Sequence, residues 1–349
     1  MLRVGITGIG FMGWIHWLAY QRISDVEVVA ICTRDEKKRN GDWTSIQGNF
    51  GPPGEQVDLS ETACYETVDQ LLADPNIDLV DVCLPPYLHE QITIDACAAG
   101  KHVFCEKPMA LTDEACQRML AAGESNGVQV FVGQVLPFFP EYKFVYENGL
   151  EKGDFGDLLG GHFKRIISDP EWLTDFYDPE RVGGPLVDLH VHDAHFIRLI
   201  AGRQPTSVAS QGRMKGDVAQ YCASLYHFAD SPLVISATSG VTMQQGRSFT
   251  HGFEIHFERA TLLYDFSVLG GEPALAQPLT VLHENGSVEQ PQLGGDPVDA
   301  FVAEIAEIAR ALSTGEPSPI LHGSLARDAI QLCHAQNRSV QTGQVVNLQ

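Results

Sequence analysis

The sequence predicts an α/β protein: a doubly wound parallel sheet at the N-terminus, then an α+β domain on a mainly antiparallel sheet. Three observations predict it. The first third alternates short apolar runs with helix-period segments, the pattern of parallel strands joined by helical crossovers. Gly8-x-Gly10-x-x-Gly13 sits between the first run and the first helical segment. Beyond about residue 134, strand-like runs follow one another with few helices between.

The elements follow in order. Leu2 to Thr7 reads as a strand, Phe11 to Arg22 as a helix and Val26 to Cys32 as the second strand. Residues 39 to 56 are rich in Gly, Pro and Asn and read as a loop. A short strand at Thr62 to Tyr65 and a helix at Thr67 to Ala73 follow. Leu79 to Leu84 is a buried strand, Glu90 to Ala99 a helix closed by Gly100, and His102 to Cys105 the fifth strand. Thr112 N-caps a helix to Ser125, with Asp113 and Glu114 in its first turn. Gln129 to Gly133 is the sixth strand. With 349 residues the chain can bury two cores, and the change of character divides it into 1–133 and 134–349.

In the second part, strands are expected at 158–167, 207–213, 219–228, 233–242, 252–257, 260–264 and 279–283. A helix is expected at Leu186 to Ala201, and two more near Pro297 to Ser313 and Ser324 to Arg338.

Charge narrows the function classes. There are 45 acidic residues against 23 basic, a net charge of -22. Such a surface repels nucleic acid and anionic membranes, so any phosphate-bearing ligand must be held by local groups. The eight cysteines include no CxxC pair and read as reduced thiols of a cytoplasmic protein. Residues 4 to 19 are apolar, but their glycines and the lack of a small-x-small site argue against a signal peptide. No apolar run is long enough to span a membrane.

The glycine turn predicts a dinucleotide site. Gly8 permits the tight turn, Gly10 lets the backbone approach a pyrophosphate, and Gly13 allows close helix packing, with Phe11 and Met12 in the same loop. The helix N-terminus then faces the anion. Twenty residues past Gly13 stand Thr33 and Arg34, where an NAD enzyme usually has Asp or Glu. A hydroxyl and a guanidinium suit a 2′-phosphate, which favours NADP(H). In the alternative, Arg34 stacks on adenine and Asp35 serves NAD(H).

Leu84-Pro85-Pro86-Tyr87-Leu88-His89 follows the fourth strand and Glu106-Lys107-Pro108 the fifth, so both turns belong to the carboxyl edge where such sheets bind ligands. Lys107 is placed at the nicotinamide end. Further on, Gly183-Gly184-Pro185 opens a helix on which Asp188 and His192 stand four apart, hence on one face. A carboxylate beside an imidazole raises its basicity, as a general base for a carbinol proton requires.

These motifs resemble the Gfo/Idh/MocA oxidoreductases: Gly8-Ile9-Gly10-Phe11-Met12-Gly13, Pro85-Pro86-Tyr87-Leu88-His89, Glu106-Lys107-Pro108, and Gly183-Gly184-Pro185-Leu186-Val187-Asp188 with His192. The resemblance covers essentially the whole chain, and Ser339 to Val346 looks like the family's closing strand. It implies a Rossmann domain followed by an α+β domain with a large open sheet. It also implies hydride transfer between NAD(P) and a sugar or cyclitol, in a homodimer or homotetramer. By resemblance Lys107, Asp188 and His192 are the catalytic residues. Leu84, Pro85, Pro86, His89, Glu106 and Lys107 join the cofactor set, and Gln134, Arg165, Trp172 and His190 the substrate wall.

The chain departs from the family pattern at Pro137, where relatives often carry Arg, and at His190 and His195. The run Asp188-His190-His192-Asp193-His195 has metal-ligand residue types. On a helix, however, 188, 192 and 195 face one way while 190 and 193 face elsewhere, so no metal is expected. Two other functions resemble this pattern: an NAD-dependent glycosidase with a transient redox step, and a non-catalytic cofactor-binding regulator. The intact Lys107, Asp188 and His192 set, with no basic DNA-binding segment, argues against the regulator.

Overall fold

The computed structural model describes residues 1–171 and 173–348. The chain divides into two compact units, one of residues 1–139 and 295–327, the other of 140–294 and 328–349.

The first unit is built in chain order from β1 (Leu2–Thr7), α1 (Phe11–Tyr20), β2 (Val26–Cys32), α2 (Glu36–Arg39), β3 (Ala63–Tyr65), α3 (Val68–Leu72), β4 (Leu79–Val82), α4 (His89–Ala98), β5 (His102–Glu106), α5 (Asp113–Asn126) and β6 (Val130–Gly133). Its strands form one parallel sheet in the order β3-β2-β1-β4-β5-β6. The order reverses between β1 and β4, which is where a doubly wound sheet opens a crevice at its carboxyl edge. Thr112 caps α5 by accepting from the Ala115 amide, as expected, and Gly127 closes the helix in the left-handed conformation.

The second unit contains α6 (Pro140–Phe144), β7 (Leu158–Ser168), α7 (Val191–Ala201), β8 (Ser207–Lys215), β9 (Val218–His227), β10 (Val234–Thr242), β11 (Arg247–Phe257), β12 (Ala260–Leu269), β13 (Glu272–His283) and β14 (Val288–Glu289). The chain continues through α8 (Pro297–Thr314), α9 (Gly323–Thr342) and β15 (Val346–Asn347). The second sheet runs β14-β13-β12-β11-β7-β10-β9-β8-β15, antiparallel throughout except for β7 with β10. Its inner face buries Phe163, Ile235, Phe253, Ile255 and Leu262, and Phe196 of α7 packs edge-on to Phe163 and Tyr142. The expected α/β architecture is therefore present.

Three details differ from the sequence reading. The boundary at 133/134 assigned everything beyond it to the second part, yet α8 returns to the first unit. It buries Val298, Phe301, Ile305 and Ile308, and Arg22 bonds Asp299 at 2.8 Å and Asp296 at 3.0 Å. Burial of an amphipathic stripe against α1 outweighs sequence proximity. The closing strand expected over Ser339 to Val346 is helix in its first half, because α9 continues to Thr342 and only Val346–Asn347 pairs with β8. Finally, Leu186–His190 winds as a π-helix before α7, with the Val191 amide bonded to the Leu186 carbonyl five residues back. The i,i+4 face inferred for Asp188 and His192 therefore begins in a wider turn, a form frequent at functional sites.

Candidate active site

The first unit carries the glycine turn. Gly8 has φ +87°, and a Cβ there would stand 2.5 Å from the Cys83 carbonyl oxygen; only glycine fits both demands. A Cβ on Gly13 would stand 2.2 Å from the Gly8 oxygen, so α1 sits against β1 as closely as backbone allows. Gly10 differs: among the described residues, nothing beyond its chain neighbours lies within 4 Å of a Cβ built there, and no side chain caps α1. Open space beside uncapped helix amides is what a pyrophosphate needs, so these residues fit a dinucleotide. Phe11 packs edge-on to Phe50 with centroids 4.9 Å apart, and Met12 is half-buried beside it in sequence.

After β2, Asp35 accepts the amides of Lys37 and Lys38 at 2.9 and 3.3 Å and so caps α2. Thr33 accepts the Asp35 amide at 3.3 Å, and Arg39 donates to the Thr33 carbonyl at 2.7 Å. Arg34 is exposed. Lys38 reaches back to the Ile9 carbonyl at 2.6 Å, placing a cation on the glycine turn itself.

The turns after β4 and β5 are tied together. His89 is fully buried, its Nε2 2.7 Å from the Leu84 carbonyl and its Nδ1 2.8 Å from the Pro108 carbonyl. Burial pushes this ring below its ordinary range, against the pull of the two carbonyls. Expected among the cofactor contacts, His89 has both ring nitrogens spent on protein and acts as a strut. Pro85 is exposed, with Leu84 and Pro86 half-buried. Lys107 is half-buried and precedes a cis peptide bond to Pro108; its amide donates to Glu106 Oε2 at 2.9 Å.

Glu106 pairs in register with Gly133, so Lys107 and Gln134 leave neighbouring strand ends. Gln134 is 1% exposed, and neither end of its amide finds a hydrogen-bond partner among the described residues. A buried amide without partners costs free energy unless a ligand or water completes it.

In the second unit, the acidic and imidazole run separates by burial. Asp188 and His192 are half-exposed, whereas His190, Asp193 and His195 are buried. Gly183 and Gly184, at φ +86° and +77°, turn the chain into the helix. Asp193 holds Arg165 through two bonds of 2.8 and 2.9 Å, both side chains buried. Burial alone would raise the Asp193 carboxyl, but the Arg165 guanidinium and His190 hold it well below the usual range. His190 Nε2 is 2.9 Å from the Tyr226 hydroxyl. Nearby, burial and then Arg165 push His251 down to about 3, so it is a neutral ring standing 3.1 Å from the Tyr142 hydroxyl. Arg165 and His190, expected on the substrate wall, are buried: Arg165 is paired with Asp193 and His190 Nε2 with Tyr226, while His190 Nδ1 has no hydrogen-bond partner among the described residues. The cost of stranding a buried guanidinium explains why Arg165 has a dedicated carboxylate. Trp172 lies outside the described residues.

The sequence reading passed over His16, Asp81 and Glu304, all buried in the first unit. Each was detectable as a charged type at a core-facing place: His16 in an apolar helix, Asp81 inside Leu79–Val82, and Glu304 on the apolar stripe of α8. His16, Asp81 and Cys83 bring three potential ligand atoms within 4.8 Å of one another. Burial first, then Asp81, pushes the Cys83 thiol far up, so it stays protonated and donates to Asp81 at 3.3 Å.

Residues 2–134 match the model of an oxidoreductase family with an NAD-binding Rossmann fold, and 148–263 match a GFO/IDH/MocA C-terminal domain. The chain belongs to the Gfo/Idh/MocA oxidoreductase family. Among relatives of this family, it is 30% identical to a myo-inositol 2-dehydrogenase of Thermotoga maritima, over 62% of this chain and 60% of that one. It is 23% identical to an inositol 2-dehydrogenase of Rhizobium meliloti over 90% and 92%. The chain spans only 51% to 60% of the length of the first three curated relatives it matches. A levoglucosan dehydrogenase solved with NADH and levoglucosan shares the Gfo/Idh/MocA fold over 99% of both chains, with TM-score 0.78 and 20% identity. No helix among the described residues is long and apolar enough to cross a membrane.

Proposed function

We propose that this chain is an NAD(P)-dependent oxidoreductase acting on a secondary alcohol of a sugar or cyclitol, or on the matching ketone. One observation carries the reading. The open anion cradle at Gly10, the Lys107 turn and the unspent buried amide of Gln134 all belong to the carboxyl edge of a single parallel sheet. A cradle alone fits any nucleotide; the amide beside Lys107 calls for a hydroxyl-rich ligand. Relatives named for myo-inositol and levoglucosan support that class.

The dinucleotide, when bound, supplies or takes up the hydride. Gly8, Gly10 and Gly13 hold its pyrophosphate, and the α1 amides offset its charge. Arg34 meets a 2′-phosphate, which favours NADP(H) over NAD(H); the engagement of Asp35 in capping α2 supports that order. Lys107 hydrogen-bonds the substrate oxygen and stabilises charge that develops there. His192 exchanges the hydroxyl proton, and Asp188 orients it. Gln134 binds a neighbouring hydroxyl. A homodimer or homotetramer is proposed through the open sheet face, where Leu225 and Val234 are exposed on one side. The free thiols suit a cytoplasmic setting.

The test is a panel of sugars and cyclitols followed by reduced-nicotinamide absorbance with NAD and with NADP. Lys107→Ala and His192→Ala are expected to lose turnover yet bind the dinucleotide. Turnover at the parental rate in either variant overturns the reading.

A further inference from the structure

Behind the Lys107 turn, the first unit buries ionisable side chains that the proposed reaction does not use. His16 comes from the middle of α1, Asp81 from β4, Cys83 from just beyond it, Glu106 from the end of β5 and Glu304 from α8. His16, Asp81 and Glu304 are wholly inaccessible. Asp81 is fully spent: Oδ2 accepts from the Tyr20 hydroxyl at 3.0 Å and stands 2.8 Å from His16 Nδ1, while Oδ1 accepts from the Cys83 thiol at 3.3 Å. On the far side of the ring, Nε2 lies 3.1 Å from Glu106 Oε1, within ion-pair reach though off the hydrogen-bond axis. The other Glu106 oxygen accepts the Lys107 amide at 2.9 Å. One imidazole therefore stands between Asp81 and the carboxylate that holds the Lys107 backbone.

The ring has little freedom to turn. Phe104 stacks on it with centroids 5.0 Å apart and planes 5° from parallel, and Phe301 of α8 stands at 5.8 Å. The charges also have one consistent arrangement. Burial opposes a charged ring, but Asp81 and Cys83 outweigh it and hold His16 well above its ordinary value. Burial, then repulsion from Glu106, pushes the Glu304 carboxyl well above the usual range, and neither of its oxygens has a hydrogen-bond partner among the described residues. Glu304 is thus a neutral acid that leaves the cation to Asp81 and Glu106. Beyond these groups and Tyr20, the titratable neighbours include Lys107, His89 and Cys105, which flank Glu106.

We propose that His16 is a positioning residue for the Glu106-Lys107 turn: its ring, clamped between the Asp81 and Glu106 carboxylates, fixes the carboxylate that receives the Lys107 amide. Its bearing on catalysis rests on the proposed role of Lys107; its geometry does not. A neutral imidazole carries one N–H and no net charge, so the bond to Asp81 together with the ion pair to Glu106 needs both ring protons.

The test reads the ring and the amide directly. In the full chain, nitrogen-15 signals of His16, assigned by their loss in His16→Gln, are expected to report a ring that stays doubly protonated well past the usual histidine range. In His16→Gln the side-chain amide nitrogen replaces Nε2 toward Glu106, whereas in His16→Asn it reaches only Asp81. Hydrogen exchange at the Lys107 amide is expected to rise about tenfold or more in His16→Asn and to stay near the parental rate in His16→Gln. A ring that is neutral at about pH 7.5, or equal exchange in the two variants, overturns the proposal. Turnover retained in Lys107→Ala would remove the role of Lys107 while these two readouts still decide the role of His16.

Discussion

The His89 ring stands 2.8 Å from the Pro108 carbonyl and 2.7 Å from the Leu84 carbonyl, so one buried side chain ties the proline loop after β4 to the turn that carries Lys107. His89→Ala removes the ring that bridges the two turns and leaves the carbonyl that receives its single N–H without a donor, at a cost of about 1–3 kcal/mol where it stays dry. A lower denaturant midpoint with an unchanged slope is expected. Parental stability would show that the strut is dispensable.

Gly10 and Gly13 separate binding from folding. Gly13→Ala places a methyl 2.2 Å from the Gly8 oxygen and is expected to destabilise the first unit, as seen by thermal melting. Gly10→Ala meets nothing within 4 Å among the described residues beyond its chain neighbours, so it is expected to melt like the parent yet bind NADH and NADPH more weakly in fluorescence titrations. Unchanged affinity would remove the pyrophosphate from Gly10.

Arg34 is expected to discriminate the cofactors. Arg34→Ala should weaken NADPH by about tenfold or more, the scale of a charged hydrogen bond, and leave NADH nearly unchanged. Equal losses for both would instead support stacking on adenine.

Arg165 and Asp193 are a buried pair whose partners depend on each other. Arg165→Met strands the Asp193 carboxylate at about 3–5 kcal/mol, and the double variant Arg165→Met/Asp193→Leu is expected to recover most of it in a double-mutant cycle. Acid acts on the same core. His251 is neutral in the folded unit, with its value near 3, and binds its proton near 6.5 when unfolded. Stability is therefore expected to fall as pH drops below about 6.5, because the unfolded chain takes up the proton first. A flat profile between about pH 7 and pH 5 would contradict the neutral ring.

Glu304 makes the opposite demand in the first unit. Its folded value is raised, so above about pH 4.5 the unfolded chain loses a proton that the folded one keeps, and stability falls as pH rises. Glu304→Gln removes that term. The variant is expected to melt higher than the parent at neutral pH, with the gap widening as pH rises toward the folded value. A lower melting temperature at every pH would show that Glu304 is not a buried neutral acid.

Much of this was legible in order along the chain. The spacing of Gly8, Gly10 and Gly13 carries the turn geometry, because each glycine answers a local steric demand. The period of the apolar runs carries the parallel sheet, and the Thr112 cap marks α5 to the residue. Asp188 and His192 were separable from His190 and Asp193 only as faces of an ideal helix. The π turn at Leu186–His190 altered that geometry, and a wider turn leaves no signature in residue type.

Local sequence by itself determined the strand-turn-helix that admits an anion, the Glu106-Lys107-Pro108 turn and the family they mark. These depend on neighbours a few residues apart. Tertiary structure alone decided that Arg165 and His190 are buried, that α8 returns to the first unit and that His16 stands between Asp81 and Glu106. Those outcomes turn on desolvation and on partners dozens to hundreds of residues away, where a charge is tolerated only if distant carboxylates or carbonyls meet it.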